Sequence, residues 1–357
     1  MRTVLILIVV VSLAVLLHLA LTPGPVDPAA WQPPTPPQMR DALEPNTLLR
    51  RAEHLGAGAF DGPEDVAVDQ EGRVYGGTAN GEIRRIDANG EVDVFADTDG
   101  RPLGMQFDGQ GRLVVADAFR GLLRIDKDGN IEELSTEAGG VPLNFTNDLD
   151  IAADGTIYFS DASTRFQQTE YLYDLLEARP HGRLLRYSPE SGETEVLLED
   201  LYFANGVALS QDEDYVLVNE TYRYQITRYW LAGPDAGSSE IFIENLPGFP
   251  DNLSRAPDGS YWLALFTVRS TEMDALHPFP ALKQFLARLP ENFWPQPEPW
   301  GFVAQLDQDG NIIRSLQDPG GEHLFAITSA RQYNDVLYLG SLYNDRIGVL
   351  PLGVVTD

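Results

Sequence analysis

Residues 201–209 read LYFANGVAL and place Asn205 two positions ahead of an apolar run that ends at the turn Gln211-Asp212-Glu213. The same grammar recurs along the chain. Glu64 precedes VAVDQEG, Asn147 precedes LDIAADG, and Asp251 with Asn252 precedes LSRAPDG. Counting back eight residues from the turn positions Gly72, Gly155, Glu213 and Gly259 lands on Glu64, Asn147, Asn205 and Asp251. Two further repeats, ending at Gly111 and Asp335, put Leu103 and Ile327 at that place. Six repeats therefore share one register, and four of them carry an oxygen-bearing side chain there.

Each repeat reads as a strand, a DG-like turn, a second strand, a loop, a third strand such as GEIRRID or GRLLRYS, and a fourth such as EVDVFA or NIIRSL. Short runs with period-two patterning and Gly-containing turns are the pattern of antiparallel hairpins. Val66 to Met105 is 39 residues, and four strands at a period of about 40 residues is the pattern of a propeller blade. The expected fold is all-β, a six-bladed β-propeller over residues 45–357. The last repeat stops at IGVLPL without a fourth strand. The segment TLLRRAEHL (47–55) can supply it and so remove an exposed sheet edge. Insertions at 163–180 and 270–299 interrupt repeats three and five between second and third strands, and their apolar content suits a cover over the ring mouth.

Composition narrows the chemistry. Twenty-five Lys+Arg against 54 Asp+Glu give a net charge of −29, which argues against a nucleic-acid partner. There is no cysteine, so disulfides, thiolate nucleophiles and Cys-type zinc sites are excluded. The five histidines are scattered without metal-binding spacing.

Residues 4–22 form an apolar stretch of 19 positions, long enough for a bilayer core of roughly 30 Å. Arg2 precedes it, and no Lys or Arg follows until Arg40. The expectation is one N-terminal transmembrane helix (residues 1–22) with a cytoplasmic N-terminus, making a single-pass membrane protein whose propeller lies outside the cytoplasm. A cleaved export signal is the other reading of the same stretch. Seven prolines within 23–37 make residues 23–44 a stiff, extended linker.

In a propeller the first strand of each blade lines the central channel, so Glu64, Asn147, Asn205 and Asp251 should ring one mouth. Two carboxylates and two amide oxygens without sulfur or imidazole suit Ca²⁺, with Mg²⁺ the stricter alternative. Turn preference accounts for one Asn or Asp at a strand entry. It does not account for four in one register, nor for Glu64. The following residues Asp65, Asp148 and Asn252 are either supports of the ring or ordinary strand-entry residues.

GPEDVAVD, GVPLNFTNDLDIAADGTIYFSDASTRF, LYFANGVALSQDEDYVLVNETYRYQITRYWL and LPGFPDNLSRAPDGSYWLALFTVR resemble the strictosidine synthase-like branch of calcium propellers. The likeness is greatest to the adipocyte plasma membrane-associated proteins and extends to the gluconolactonase/senescence-marker and paraoxonase propellers. The resemblance implies that Glu64, Asn147, Asn205 and Asp251, with Asn252, bind calcium. It also implies hydrolysis of a small-molecule ester or lactone, with Asp251 as general base or nucleophile and Asp148 as second candidate. Phe119, Tyr222, Trp262 and Phe266 are the aromatics expected around the substrate. The amine–aldehyde condensation of the plant synthases needs a carboxylate where this chain has Thr328 or Ser329, and the paraoxonase histidine pair is missing. A propeller that binds a ligand without turnover, pinned by structural calcium, is the third reading.

Overall fold

Each of the first five repeats folds as a four-stranded antiparallel sheet in chain order, the sixth supplies three strands of another, and the six sheets circle one axis. The computed structural model describes residues 24–355. The proposed anchor lies outside the described residues, and among these no helix is long and apolar enough to cross a membrane. The innermost strands are Val66–Val68, Pro102–Phe107, Thr146–Ile151, Ala204–Leu209, Gly248–Arg255 and Ile327–Tyr333. Consecutive inner strands adjoin around the ring, and the sixth meets the first.

The burial pattern follows from that placement. Second strands such as Leu113–Asp117 and Ile157–Asp161 are buried at every position, because both faces meet another blade. Outer strands such as Ile131–Ser135 expose their middle residues. Apolar clusters fill the gaps between blades, for example Tyr75, Met105, Leu113 and Leu123, or Val114, Leu122, Leu149 and Phe159. The hairpin turns after inner strands need the left-handed backbone, which Gly72, Gly155 and Gly259 supply at φ of +79°, +88° and +84°. Glu213 takes the same role in blade four at φ +57°, so the repeat survives there without its glycine.

The ring is closed by the N-terminal segment. Glu53–Leu55 pairs antiparallel with Ile347–Pro351, in register Glu53↔Val349 and Leu55↔Ile347, and becomes the outer strand of blade six. The edge that the last repeat leaves bare is thereby covered.

One detail of the inner strands decides where their side chains go. Register shifts occur at Pro102/Met105, Thr146/Leu149, Ala204/Val207, Pro250/Leu253 and Ile327/Ser329, each inserting one extra inner-strand residue. These are β-bulges, which re-aim side chains and end regular pairing. Asn147-Asp148, Asn205-Gly206 and Asp251-Asn252 are therefore the bulged pairs. Gly206 is tied to this arrangement, since a Cβ there would overlap Leu253 N and the Asp251 carbonyl of the next blade.

The proline-rich segment does not stand off as a spacer. It lies across the insertions as a strap. Asp27 N donates to Glu177 Oε2 (2.8 Å), Ala29 N to the Glu177 carbonyl (2.8 Å) and Trp31 N to the His277 carbonyl (3.2 Å). Lys283 Nζ, Arg269 Nη2 and Asn245 Nδ2 donate to the carbonyls of Ala29, Pro34 and Thr35. Val26 is buried, and the Trp31 ring sits between His277 and the Arg223 guanidinium.

Candidate metal centre

Glu64, Asn147, Asn205 and Asp251 come together at the floor of one cavity of about 530 Å³. They arrive from four blades, and carboxylates at the ends of second strands hold the loops ahead of Asn147, Asn205 and the neighbouring Leu103. Asp161 Oδ1 accepts from Asn144 N (3.1 Å) and Phe145 N (2.8 Å), Asp117 Oδ1 from Arg101 N (3.0 Å), and Glu220 Oε2 from Tyr202 N (2.9 Å). These bonds hold the chain just ahead of each bulge. Phe203, two residues before Asn205, sits in the left-handed region at φ +59°, an unusual backbone for an aromatic residue.

The four side chains are poorly matched to a protein-only environment. All are buried, yet Asn147 Oδ1 and Asn205 Oδ1 have no hydrogen-bond partner. Asn205 Nδ2 donates to Thr221 Oγ1 (3.2 Å), which leaves the amide oxygen as the free end. Burial, and then the facing carboxylates of Asp251, Asp65 and Asp148, push the Glu64 pKa well above the ordinary range; the buried Arg101 offsets only part of this. Asp251 is likewise raised, by burial first and despite a hydrogen bond from Asn205. Unpartnered buried oxygens and uncompensated carboxylates are each costly. A hard divalent cation relieves both, so the donor set fits such an ion.

Asn252 bears on this floor from behind. Its Nδ2 lies 3.4 and 3.3 Å from the Glu64 oxygens, while its own Oδ1 is buried without a partner. Asp148 and Asp65 do not line the cavity. Asp65 takes the Arg331 guanidinium on both oxygens (2.9 and 2.7 Å) and the amide of Met105 (2.9 Å). Asp148 accepts from Val207 N (2.9 Å) and is reached by Arg331 Nη2 at 3.4 Å. Burial raises its pKa to about 7, against the pull of Arg331. The structure thus places Asp148, the second catalytic candidate, outside the cavity lining, as a brace between blades. Arg331, which sequence reading passed over, supplies the cation of that brace.

The circle is completed by Leu103 and Thr328. Ile327, expected there from the repeat count, is buried among apolar residues of blades five and six. The single-residue bulge turns Thr328 to the cavity instead, where its Oγ1 donates to the Glu64 carbonyl (2.6 Å). Of the four expected aromatics, Tyr222 and Phe266 line the cavity. Phe119 is exposed at a blade edge, and Trp262 is fully buried with Nε1 bonded to Gln332. Phe145, Phe203 and Phe249 take the missing places, Phe203 packing 5.3 Å from Phe145 and 4.4 Å from Tyr222.

Both insertions wall this cavity. Tyr171, Leu172 and Leu175 belong to the blade-three helix Tyr171–Glu177, and Met273, Trp294 and Pro295 to the blade-five insertion. Tyr171 Oη meets Tyr343 Oη of blade six at 3.0 Å, and Tyr222 Oη donates to the Tyr171 carbonyl (3.0 Å).

Fold and floor together define a six-bladed propeller with an oxygen-only axial site beneath an apolar chamber. The description "Strictosidine synthase" matches residues 147–234, and "Strictosidine synthase-like, N-terminal" matches residues 41–86. The chain is 35% identical to the adipocyte plasma membrane-associated protein of Rattus norvegicus over 372 residues, covering 97% of this chain and 98% of the relative. It is 36% identical to "Protein STRICTOSIDINE SYNTHASE-LIKE 6" of Arabidopsis thaliana over 313 residues, covering 85% and 83%. The chain therefore belongs to the strictosidine synthase-like family that includes the adipocyte plasma membrane-associated proteins. Among solved structures the fold matches a gluconolactonase of Xanthomonas campestris, with TM-score 0.61, 21% identity and coverage of 93% and 99%. It also matches the calcium-binding protein regucalcin of Agrobacterium tumefaciens, with TM-score 0.59, 15% identity and coverage of 83% and 92%.

Proposed function

We propose that this protein is a calcium-dependent hydrolase of esters or lactones. The observation that carries the reading is the cavity floor: two unpartnered amide oxygens and two uncompensated carboxylates, all buried, facing an apolar chamber. Kinship in fold with a gluconolactonase and with calcium-binding regucalcin supports both the reaction class and the ion. The relatives' name supports a membrane-bound setting, for which the apolar stretch 4–22, with the N-terminus cytoplasmic and the propeller outside, is the proposed anchor.

Glu64, Asn147, Asn205 and Asp251 would hold the cation, with Asn252 steadying Glu64 from behind. Calcium so held supplies a Lewis acid for a carbonyl oxygen. Phe145, Phe203, Tyr222, Phe249 and Phe266 receive the apolar part of the substrate. Tyr171 and Trp294 close the chamber against bulk water, which strengthens every charge interaction at the floor. Asp251 is the base in this scheme, because it is a carboxylate that lines the cavity beside the proposed cation. Thr328 offers no carboxylate, and none is bonded to it, so amine–aldehyde condensation lacks its base here.

Asp251→Asn is the informative variant, because it keeps an oxygen donor and removes the proton acceptor. The expected outcome is retained stabilisation by saturating calcium with turnover of aryl esters and lactones reduced at least about a hundredfold, the lower range for one general base. Tight calcium binding by wild type with no turnover, and no effect of Asp251→Asn on ligand binding, would leave the ion as a structural pin.

A further inference from the structure

An ordinary surface helix buries its apolar stripe and exposes its polar one. Pro280–Leu286 in the blade-five insertion does the reverse. Lys283 is fully buried, its Nζ bonded to the Ala29 carbonyl at 2.6 Å, and Ala287 is buried beside it. Facing out are Phe279, Leu282 and Phe285, 54%, 54% and 42% exposed, which helical geometry puts on one side. Phe293, 66% exposed, follows in the same insertion. Among the described residues, four of the eleven large exposed apolar side chains thus fall within residues 279–293, a concentration that marks an interaction surface.

The strap says what covers it. A Cβ built on Gly24, the first described residue, would come within 3.3 Å of Gln284 Cγ and 3.4 Å of Arg288 Cζ. The chain therefore enters the structure lying on this helix, and the strap from Asp27 to Thr35 is pinned by the bonds given above, without slack. In sequence only Pro23 separates Gly24 from the apolar run 4–22. An apolar segment entering a bilayer there brings the lipid surface against the outward face of the helix. The net charge of −29 makes an anionic surface a poor match.

We infer that the outward face of the blade-five insertion, Phe279, Leu282, Phe285 and Phe293, rests in the interface of a zwitterionic bilayer. Glu291, Asn292 and Trp294 around Phe293 line the cavity, so its mouth then opens at the lipid surface and receives solutes from the membrane phase. In-plane helices of this kind bury their apolar face at the boundary of headgroups and acyl chains. The inference does not depend on the reaction at the cavity floor.

The chain has no cysteine, so single probes are clean. Leu282→Cys, Phe293→Cys and the control Ile313→Cys, half exposed beside the 307–311 turn of blade five, are labelled with bimane. The full chain is then reconstituted into phosphatidylcholine vesicles. The labels at 282 and 293 should lose quenching by aqueous iodide and gain quenching by brominated phosphatidylcholine, while the label at 313 keeps iodide quenching. Iodide access at 282 and 293 equal to that at 313 overturns the proposal. So does shielding from iodide without bromolipid quenching, which would assign the face to a second copy. A requirement for phosphatidylserine would overturn the zwitterionic assignment.

Discussion

The axis of this propeller carries two sets of acidic side chains, neighbours in sequence, of which one is paired with an arginine and the other is not. Among the described residues no ion pair reaches Glu64 or Asp251, and burial first, then the neighbouring carboxylates, raise their proton affinity, which Arg101 offsets only in part at Glu64. Asp65 and Asp148, each one residue after a cavity-facing position, are gathered by Arg331, whose pKa is held above the usual value by Asp65 although burial works against its charge. The chain neutralises one set internally and leaves the other open. Under the proposed function, the open set is the one that calcium would complete.

The largest effect should come from breaking the internally neutralised set. Arg331→Met leaves Asp65 and Asp148 buried without their partner, and removal of one member of a buried ion pair costs about 3–5 kcal/mol. Chemical denaturation should register a loss of that size, and calcium should not restore it. A loss below about 1 kcal/mol, the range of exposed pairs, would show that the two sets do not differ as described.

Calcium tests the other set. A ligand bound only to the native state stabilises it by about 2.7 kcal/mol at a hundredfold excess over Kd. Wild type should gain that margin in thermal melts with calcium and lose it with chelator. Glu64→Gln and Asn205→Ala should each shrink the gain, while Ser254→Ala, outside the cavity lining, should keep it.

A smaller and subtler effect concerns pH in the absence of metal. An acid whose folded pKa lies above its unfolded value weakens the fold as pH rises through that window. The contribution of Glu64 to metal-free stability should therefore grow as pH falls from 7 toward 4.5, its ordinary value. Glu64→Gln removes this contribution, so at pH 7 the metal-free variant should be the more stable, with the gap closing in acid. With calcium present the order should reverse. A gap that does not change with pH would mean that Glu64 carries no raised pKa.

Much of this molecule could be read from its residues. The common register of the six repeats, set by turn chemistry and period-two patterning, led to six blades, and the unpaired end of the last repeat pointed to closure by 47–55. The same register picked out Glu64, Asn147, Asn205 and Asp251, which the fold brings to one cavity floor. The positions of the insertions between second and third strands suggested a cover over that floor, and both do wall it. These features are local or periodic, and such information survives in a linear chain.

Other features depended on contacts between distant segments. Whether Asn147 or Asp148 meets the cavity is decided by a bulge, which period-two patterning does not record; a bulge of one residue likewise exchanged Ile327 for Thr328. Arg331 became the partner of Asp65, 266 residues away, because two inner strands meet when the ring closes. The strap looked like a spacer, since prolines predict extension but not where an extended chain lies. Only the assembled surface, with carbonyls from 29 to 35 facing Lys283, Arg269 and Asn245, could fix it in place. Backbone preference acts between neighbours in sequence, whereas burial and charge pairing act between neighbours in space, and the second kind exists only once the ring has closed.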